Sequence, residues 1–165
     1  MANFAKTFFL KYSIYNLFIS LCMLLAVASC TNIDLYEKTA AIPGQKWSSS
    51  FKPSFTFAIT DTSALYQVWF VFRHTEKYNF NNIYINLRAQ VPGQDTSLQI
   101  RQDVKLATDD RGWLATGMDD IYEHREPLGP AQTFKAGEYT FTLEQIMRED
   151  PLNHVLDAGI RIEKQ

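Results

Sequence analysis

Phe55-Thr56-Phe57-Ala58-Ile59 and, after a short polar break, Leu65-Tyr66-Gln67-Val68-Trp69-Phe70-Val71-Phe72 set the reading of this chain. In the first segment Phe55, Phe57 and Ile59 recur at every second position, the period of a strand with one buried face. The second is nearly continuous apolar sequence, which predicts a strand buried on both sides with Trp69 in the core. Working outward, Ile83, Ile85, Leu87 and Ala89 alternate with Tyr84, Asn86, Arg88 and Gln90. Pro92-Gly93-Gln94-Asp95 then supplies turn chemistry, and Leu98 and Ile100, with Val104 and Leu106 beyond, resume the alternation. Thr108–Gly112 reads as a loop leading into a strand over Trp113–Gly117. Ala136-Gly137 opens Tyr139-Thr140-Phe141-Thr142-Leu143, again a period of two. The spacing of Leu143, Ile146 and Met147 predicts one helical turn ended by Asp150-Pro151. Val155–Ile162 closes the chain as a strand. Short strands separated by turn signals, with no long amphipathic helix, predict an all-β fold. The expected architecture is an antiparallel β-sandwich of about seven or eight strands, a closed barrel being the alternative.

The amino-terminal part has a different character. Lys6 and Lys11 give it a positive start, and no acidic residue occurs before Asp34. Tyr12–Val27 is mostly apolar, broken only by Ser13, Asn16 and Ser20, which suits a secretory signal better than a spanning helix of roughly 20 apolar residues. Leu24-Leu25-Ala26-Val27-Ala28-Ser29-Cys30 ends it, with small residues before the cysteine. This pattern resembles the lipobox of bacterial lipoproteins, in which the cysteine is acylated and becomes the first residue. Cys22 would leave with the signal, so Cys30 would have no disulfide partner. The expected organisation is therefore a signal peptide at 1–29, a lipidated tether at 30–46 and a single β-sandwich domain at 47–165. Trp47 and Phe51 are the first residues expected to be pinned to the domain.

Removal of residues 1–29 from the 165-residue chain leaves about 136 residues, enough for one compact domain. The formal charge moves from −2 to about −4, because two lysines depart and no carboxylate does. A mildly acidic domain without basic runs argues against nucleic acid as a partner.

Catalytic and cofactor signatures are absent: no nucleophile elbow, no phosphate-cradling glycine loop, no paired zinc histidines on a helix. His74, His124 and His154 lie far apart in polar sequence and read as surface or hydrogen-bonded residues rather than a shared metal site. Asp119-Asp120-Ile121-Tyr122-Glu123-His124-Arg125-Glu126 is the one dense polar cluster. A cation or acid/base site built on Asp119, Asp120 and Glu123 is its sharp reading, but the spacing does not match a calcium loop. A solvated connection in which Arg125 pairs with a neighbouring carboxylate is the better reading. Trp47, Trp69 and Trp113 raise a second idea, a glycan-binding aromatic platform. Trp47 is the best candidate for an exposed ring, although packing is favoured for all three.

Gly112-Trp113-Leu114-Ala115-Thr116-Gly117-Met118-Asp119-Asp120-Ile121-Tyr122-Glu123-His124-Arg125 strongly resembles the gliding-motility lipoprotein GldH family of the Bacteroidota. Gly137–Arg148 and the closing Gly159-Ile160-Arg161-Ile162-Glu163 resemble it too, and the similarity runs from the lipobox to the carboxyl terminus. Ala115 stands where the family pattern has glycine, a change of one methyl group. The resemblance implies a non-enzymatic envelope lipoprotein connected with gliding motility and the secretion apparatus that shares its components. Such proteins also occur in bacteria that do not glide. It implies lipid attachment at Cys30 and no catalytic residue; with the motif search empty, no cofactor and no metal are expected either. Trp113, Asp120, Tyr122, Glu123 and Arg125 belong to the shared motif, as a docking surface or as a lock on a sharp inter-strand connection, the latter preferred. Implied partners are other envelope proteins of the motility and secretion machinery, and the membrane through the lipid on Cys30.

Thr31 follows the cysteine, so the aspartate that retains some lipoproteins in the inner membrane is absent, and Asn32–Glu37 is only mildly acidic. An outer-membrane lipoprotein facing the periplasm is expected. On fractionation the chain should travel with outer membranes and resist protease added to intact cells. Cleavage on intact cells would reverse the orientation.

Overall fold

The structure is a computed structural model that describes residues 35–165. Cys30 and the signal-peptide reading of residues 1–29 lie outside the described residues. The strands are β1 (Leu35–Ala41), β2 (Lys46–Trp47), β3 (Ser54–Ile59), β4 (Leu65–Thr75), β5 (Asn82–Gln90), β6 (Ser97–Lys105) and β7 (Ala107–Thr108). Then come β8 (Gly112–Trp113), β9 (Thr116–Met118), β10 (Ile121–Pro127), β11 (Gln132–Thr133), β12 (Gly137–Gln145), β13 (Leu152–Asn153) and β14 (Val155–Lys164). The antiparallel, sandwich-like all-β fold is as expected, but the described residues form fourteen strands rather than seven or eight: eight are six residues or longer and the other six are short pieces.

A six-stranded sheet runs β1-β14-β4-β10-β9, with β11 also on β4, and a four-stranded sheet runs β3-β12-β5-β6. All pairings are antiparallel. The two-residue period decides what each sheet buries. From β4 come Tyr66, Val68, Phe70, Phe72 and His74, and from β14 Ala158, Ile160 and Ile162. Facing them are Phe55, Phe57 and Ile59 of β3, Ile83, Ile85 and Leu87 of β5, and Tyr139, Phe141 and Leu143 of β12. Each such side chain, fully buried, contributes about 1.5–3 kcal/mol. Edge contacts such as Phe57–Phe141, with centroids 6.1 Å apart, add directional packing.

Several expectations change. The stretch expected as a tether from 30 to 46 is strand from Leu35 onward, every residue of β1 pairing with β14 between Glu163 and Asp157. Its hold is polar, so it carries no apolar period: Glu37 meets Arg161 at 3.4 Å, and Lys38 Nζ donates to the Thr56 carbonyl of β3. Gly159 of β14 lets β1 come close, since a Cβ there would collide with the Lys38 carbonyl and Thr39. Trp47 is fully buried rather than a candidate exposed ring, and its Nε1–H donates to the Phe51 carbonyl at 2.9 Å. Trp69 sits half-buried on the outward side of β4, because it is out of phase with Phe70 and Phe72. The double-sided burial expected for β4 holds at Val71, which is outward and still fully buried.

No helical turn forms at Leu143–Met147. Gln145 continues the inward row of β12, its Oε1 accepting from the Met147 N–H at 2.8 Å while Nε2 donates to the Trp47 carbonyl at 3.2 Å. A buried amide satisfied at both ends outweighs one isolated turn. Trp113–Gly117 is two strands, β8 and β9, with a break at Leu114 and Ala115.

Replacing Gly159 by Ala should destabilise the fold by about 1–3 kcal/mol, as overpacking does. Urea denaturation measures it, and a loss below about 0.5 kcal/mol would mean that β1 is not held against Gly159.

Candidate interaction site

The motif that the sequence singled out folds as a hairpin at one end of the six-stranded sheet. β9 pairs with β10, and β10 pairs with β4, placing Tyr122 beside His74 and Glu123 beside Arg73. The polar cluster expected as a solvated connection is therefore mostly strand; only Asp119 and Asp120 form the turn. Asp119 takes a left-handed φ of 56°, which Asp tolerates better than most residues. The Asp120 carbonyl accepts from the Glu76 N–H at 2.8 Å and fastens the turn to the loop after β4. Gly117 lies opposite Tyr122, and a Cβ there would stand 3.1 Å from the ring. A side chain at that position would crowd the tyrosine ring and make it shift by a few tenths of an ångström.

Because strand residues alternate, the motif has two unlike sides. Inward, Tyr122 and His124 join His74, Trp113 and Tyr78 in an aromatic cluster. The Trp113 ring is 4.4 Å from His74, Tyr78 is 4.9 Å from it, and Tyr122 stacks on it at 5.7 Å. At its centre His74 Nε2 and His124 Nε2 stand 2.9 Å apart, both residues buried. Polar neighbours in sequence gave no sign of this burial, and the two histidines are 50 positions apart. Geometry assigns the protons. The Thr75 carbonyl, 2.7 Å from His74 Nδ1, can only accept, so His74 carries its proton on Nδ1. His74 Nε2 then accepts from His124 Nε2–H, and His124 Nδ1 is buried with only the Leu114 backbone near it and no well-formed hydrogen bond. Burial, reinforced by the neighbouring His74, pushes the His124 pKa down to about 4. Burial lowers that of His74 too, against the pull of the Thr75 carbonyl.

Outward, the motif carries charge. Glu123 receives Arg73 Nε and Arg125 Nη2, each at 2.5 Å. Arg73 reaches Asp157 at 3.4 Å; Arg125 reaches Glu37 at 3.7 Å; Glu37 meets Arg161, and Arg161 meets Glu163 at 3.3 Å. The result is one chain of alternating sign, Asp157-Arg73-Glu123-Arg125-Glu37-Arg161-Glu163, lying across β14, β4, β10 and β1. The hydrogen bond to Glu123 raises the Arg73 pKa, and burial raises that of Asp157 against the opposing pull of Arg73. Partly exposed pairs contribute little each, but a connected network fixes long side chains in place. Beside it opens a cleft of about 470 Å³ whose floor includes Arg73, Glu123, Arg125 and Asp157. Its rim is apolar: Met118 is 77% exposed and Ile121 39%.

Of the motif residues, Trp113 and Tyr122 thus serve the inner cluster, Glu123 and Arg125 the outer network, and Asp120 the turn. Asp119, Asp120 and Glu123 do not converge, and among the described residues no group of three or more His, Cys, Asp or Glu could hold a metal ion. Trp113 spends its face on His74 and Trp47 is buried, so these two make no exposed coplanar platform.

Comparison with known proteins agrees with the resemblance read from these residues. The family described as GldH lipoprotein matches residues 34–162. A gliding motility lipoprotein GldH from Flavobacterium johnsoniae is 23% identical over 144 residues, spanning 83% of this chain and 89% of that protein.

The histidine pair sets a pH dependence. The unfolded chain protonates both rings below about pH 6.5, whereas folded His124 resists until about pH 4. The stabilisation is complete above pH 6.5 and is lost as the pH falls through that window. Chemical denaturation should show a loss on the order of 2 kcal/mol between pH 7 and pH 4.5 that a His74→Phe/His124→Phe double variant lacks. Equal slopes for the two proteins would refute it.

Proposed function

This chain belongs to the GldH lipoprotein family, and from that premise we propose that it is a lipid-anchored, non-enzymatic component of the gliding-motility machinery and its associated protein-secretion apparatus. It acts by protein–protein contact, held at the periplasmic face of the outer membrane by the lipid on Cys30. The observation that carries this reading is the outer face of the family motif, a rigid alternating network of charges flanked by exposed Met118 and Ile121. A preordered polar floor with a small apolar rim suits a partner protein better than a reacting substrate, because orientation and charge pattern select partners while the apolar groups add contact energy.

Position supports the same reading. β1 starts in the row that contains Gln67 of β4, and the motif hairpin pairs around Thr75. Eight residues of strand separate the two levels, about 26 Å. The lipid tether leaves from one end of the domain, the motif hairpin stands at the other, and the charge network runs back between them.

A photo-crosslinking amino acid at Met118 should capture a small, reproducible set of envelope proteins in living cells. Arg125→Glu, which places a like charge against Glu123 and Glu37, should reduce that capture at least fivefold while the protein remains abundant. Random capture, together with normal motility and secretion in a deletion strain, would sink the proposal.

A further inference from the structure

The two sheets of the sandwich do not cover each other fully. β6 forms the free edge of the four-stranded sheet, and its Leu98 and Ile100 stand directly opposite Ala89 and Leu87, which face the core. They share that inward orientation, yet Leu98 is 56% and Ile100 44% exposed. Further along β6, Val104 is buried, so exposure is confined to the end where the six-stranded sheet recedes. The gap is a cleft of about 250 Å³ with Val68, Leu128 and Phe134 on one side and Leu87, Leu98 and Ile100 on the other. Lys135 also lines it, exposed and without a salt bridge to any described residue.

This opening is at the tether end. Tyr36 of β1 pairs with Ile162, Ile162 with Val68, and the Leu128 N–H donates to the Val68 carbonyl at 2.8 Å. The second row of β1 is therefore the row that forms the cleft wall, and β4 lies two strand spacings, about 10 Å, from β1. Only four residues lie between Cys30 and Leu35, and the five steps of chain reach at most about 18 Å. A lipid on Cys30 thus confines this end of the domain to the membrane surface.

We propose that the cleft takes up one acyl chain of an anionic phospholipid from that membrane, with Lys135 against the headgroup. The proposal rests on the lipid-anchored reading above. An apolar slot at the end of the domain nearest the anchor suits a hydrocarbon chain, and an unpaired cation in its lining suits a phosphate. Uptake of lipid would cover Leu98 and Ile100 without any polar backbone entering the slot. A partner strand laid along the free β6 edge is the competing occupant.

The test uses the full lipidated chain in vesicles of phosphatidylethanolamine and phosphatidylglycerol, with a trace of phosphatidylglycerol carrying a diazirine at the end of one acyl chain. Illumination and peptide mapping should place label at Leu98–Ile100 and within 128–135. Ala89→Trp, which fills the slot, and Lys135→Glu, a surface change that leaves the core intact, should each lower that labelling at least threefold. Labelling confined to β1, labelling unmoved by both variants, or a peptide retained along β6 in place of label would overturn the proposal. A chain that binds vesicles without label in the cleft leaves the anchor reading standing. One that floats free of the vesicles overturns both.

Discussion

The backbone of β4 is hydrogen-bonded on both edges, to β14 on one side and to β10 and β11 on the other. That double pairing is the constraint from which the rest of the molecule follows. Once both neighbours are in register, the side chains of β4 have only two directions. Tyr66, Val68, Phe70, Phe72 and His74 must go into the sandwich, and Trp69, Val71 and Arg73 onto its outer surface. The same register brings His124 to His74 inside and Glu123 to Arg73 outside. A slip of one residue would exchange the faces, burying Arg73 and exposing Phe72, at a cost no local adjustment could offset.

Much of the fold was legible because apolar alternation is a local signal. Phe55–Ile59, Ile83–Ala89, Tyr139–Leu143 and Val155–Ile162 each announce a strand and its buried face without help from the rest of the chain. β1 was illegible for a matching reason: Glu37 and Lys38 find their partners in Arg161 and the Thr56 carbonyl, far away in sequence, so the strand has no pattern of its own. The helical turn expected after Leu143 failed because a spacing of three describes Ile146 and Met147 equally well beyond the end of a strand. What decided between the two readings was the capture of Gln145 by Trp47, again a distant residue.

The candidate site was legible as a place and illegible as a mechanism. The dense polar run Asp119–Glu126 and the family resemblance of Gly112–Arg125 identified the segment, and the pairing of Arg125 with a carboxylate was expected. The division into an aromatic inner side and a charged outer side depends on β10 being a strand, which its polar composition concealed. The buried histidine pair depends on a register between segments 50 positions apart. The two roles weighed for the motif, lock and docking surface, are both available to it because they occupy opposite sides of one strand.

The short lead into β1 has a mechanical side. β1 lies antiparallel to β14, and the lipid proposed for Cys30 would pull on it from its amino-terminal side. If the domain is gripped at the motif hairpin while its anchor is dragged through the membrane, tension enters at Leu35 and runs along the strand axis. Every rung of the β1–β14 ladder then bears the load together, in shear, instead of opening one after another like a zip. Gly159, by letting β1 sit tight against its neighbour, shortens the path over which that load is transferred. The edge that looked in sequence like a slack leash is built to take a pull.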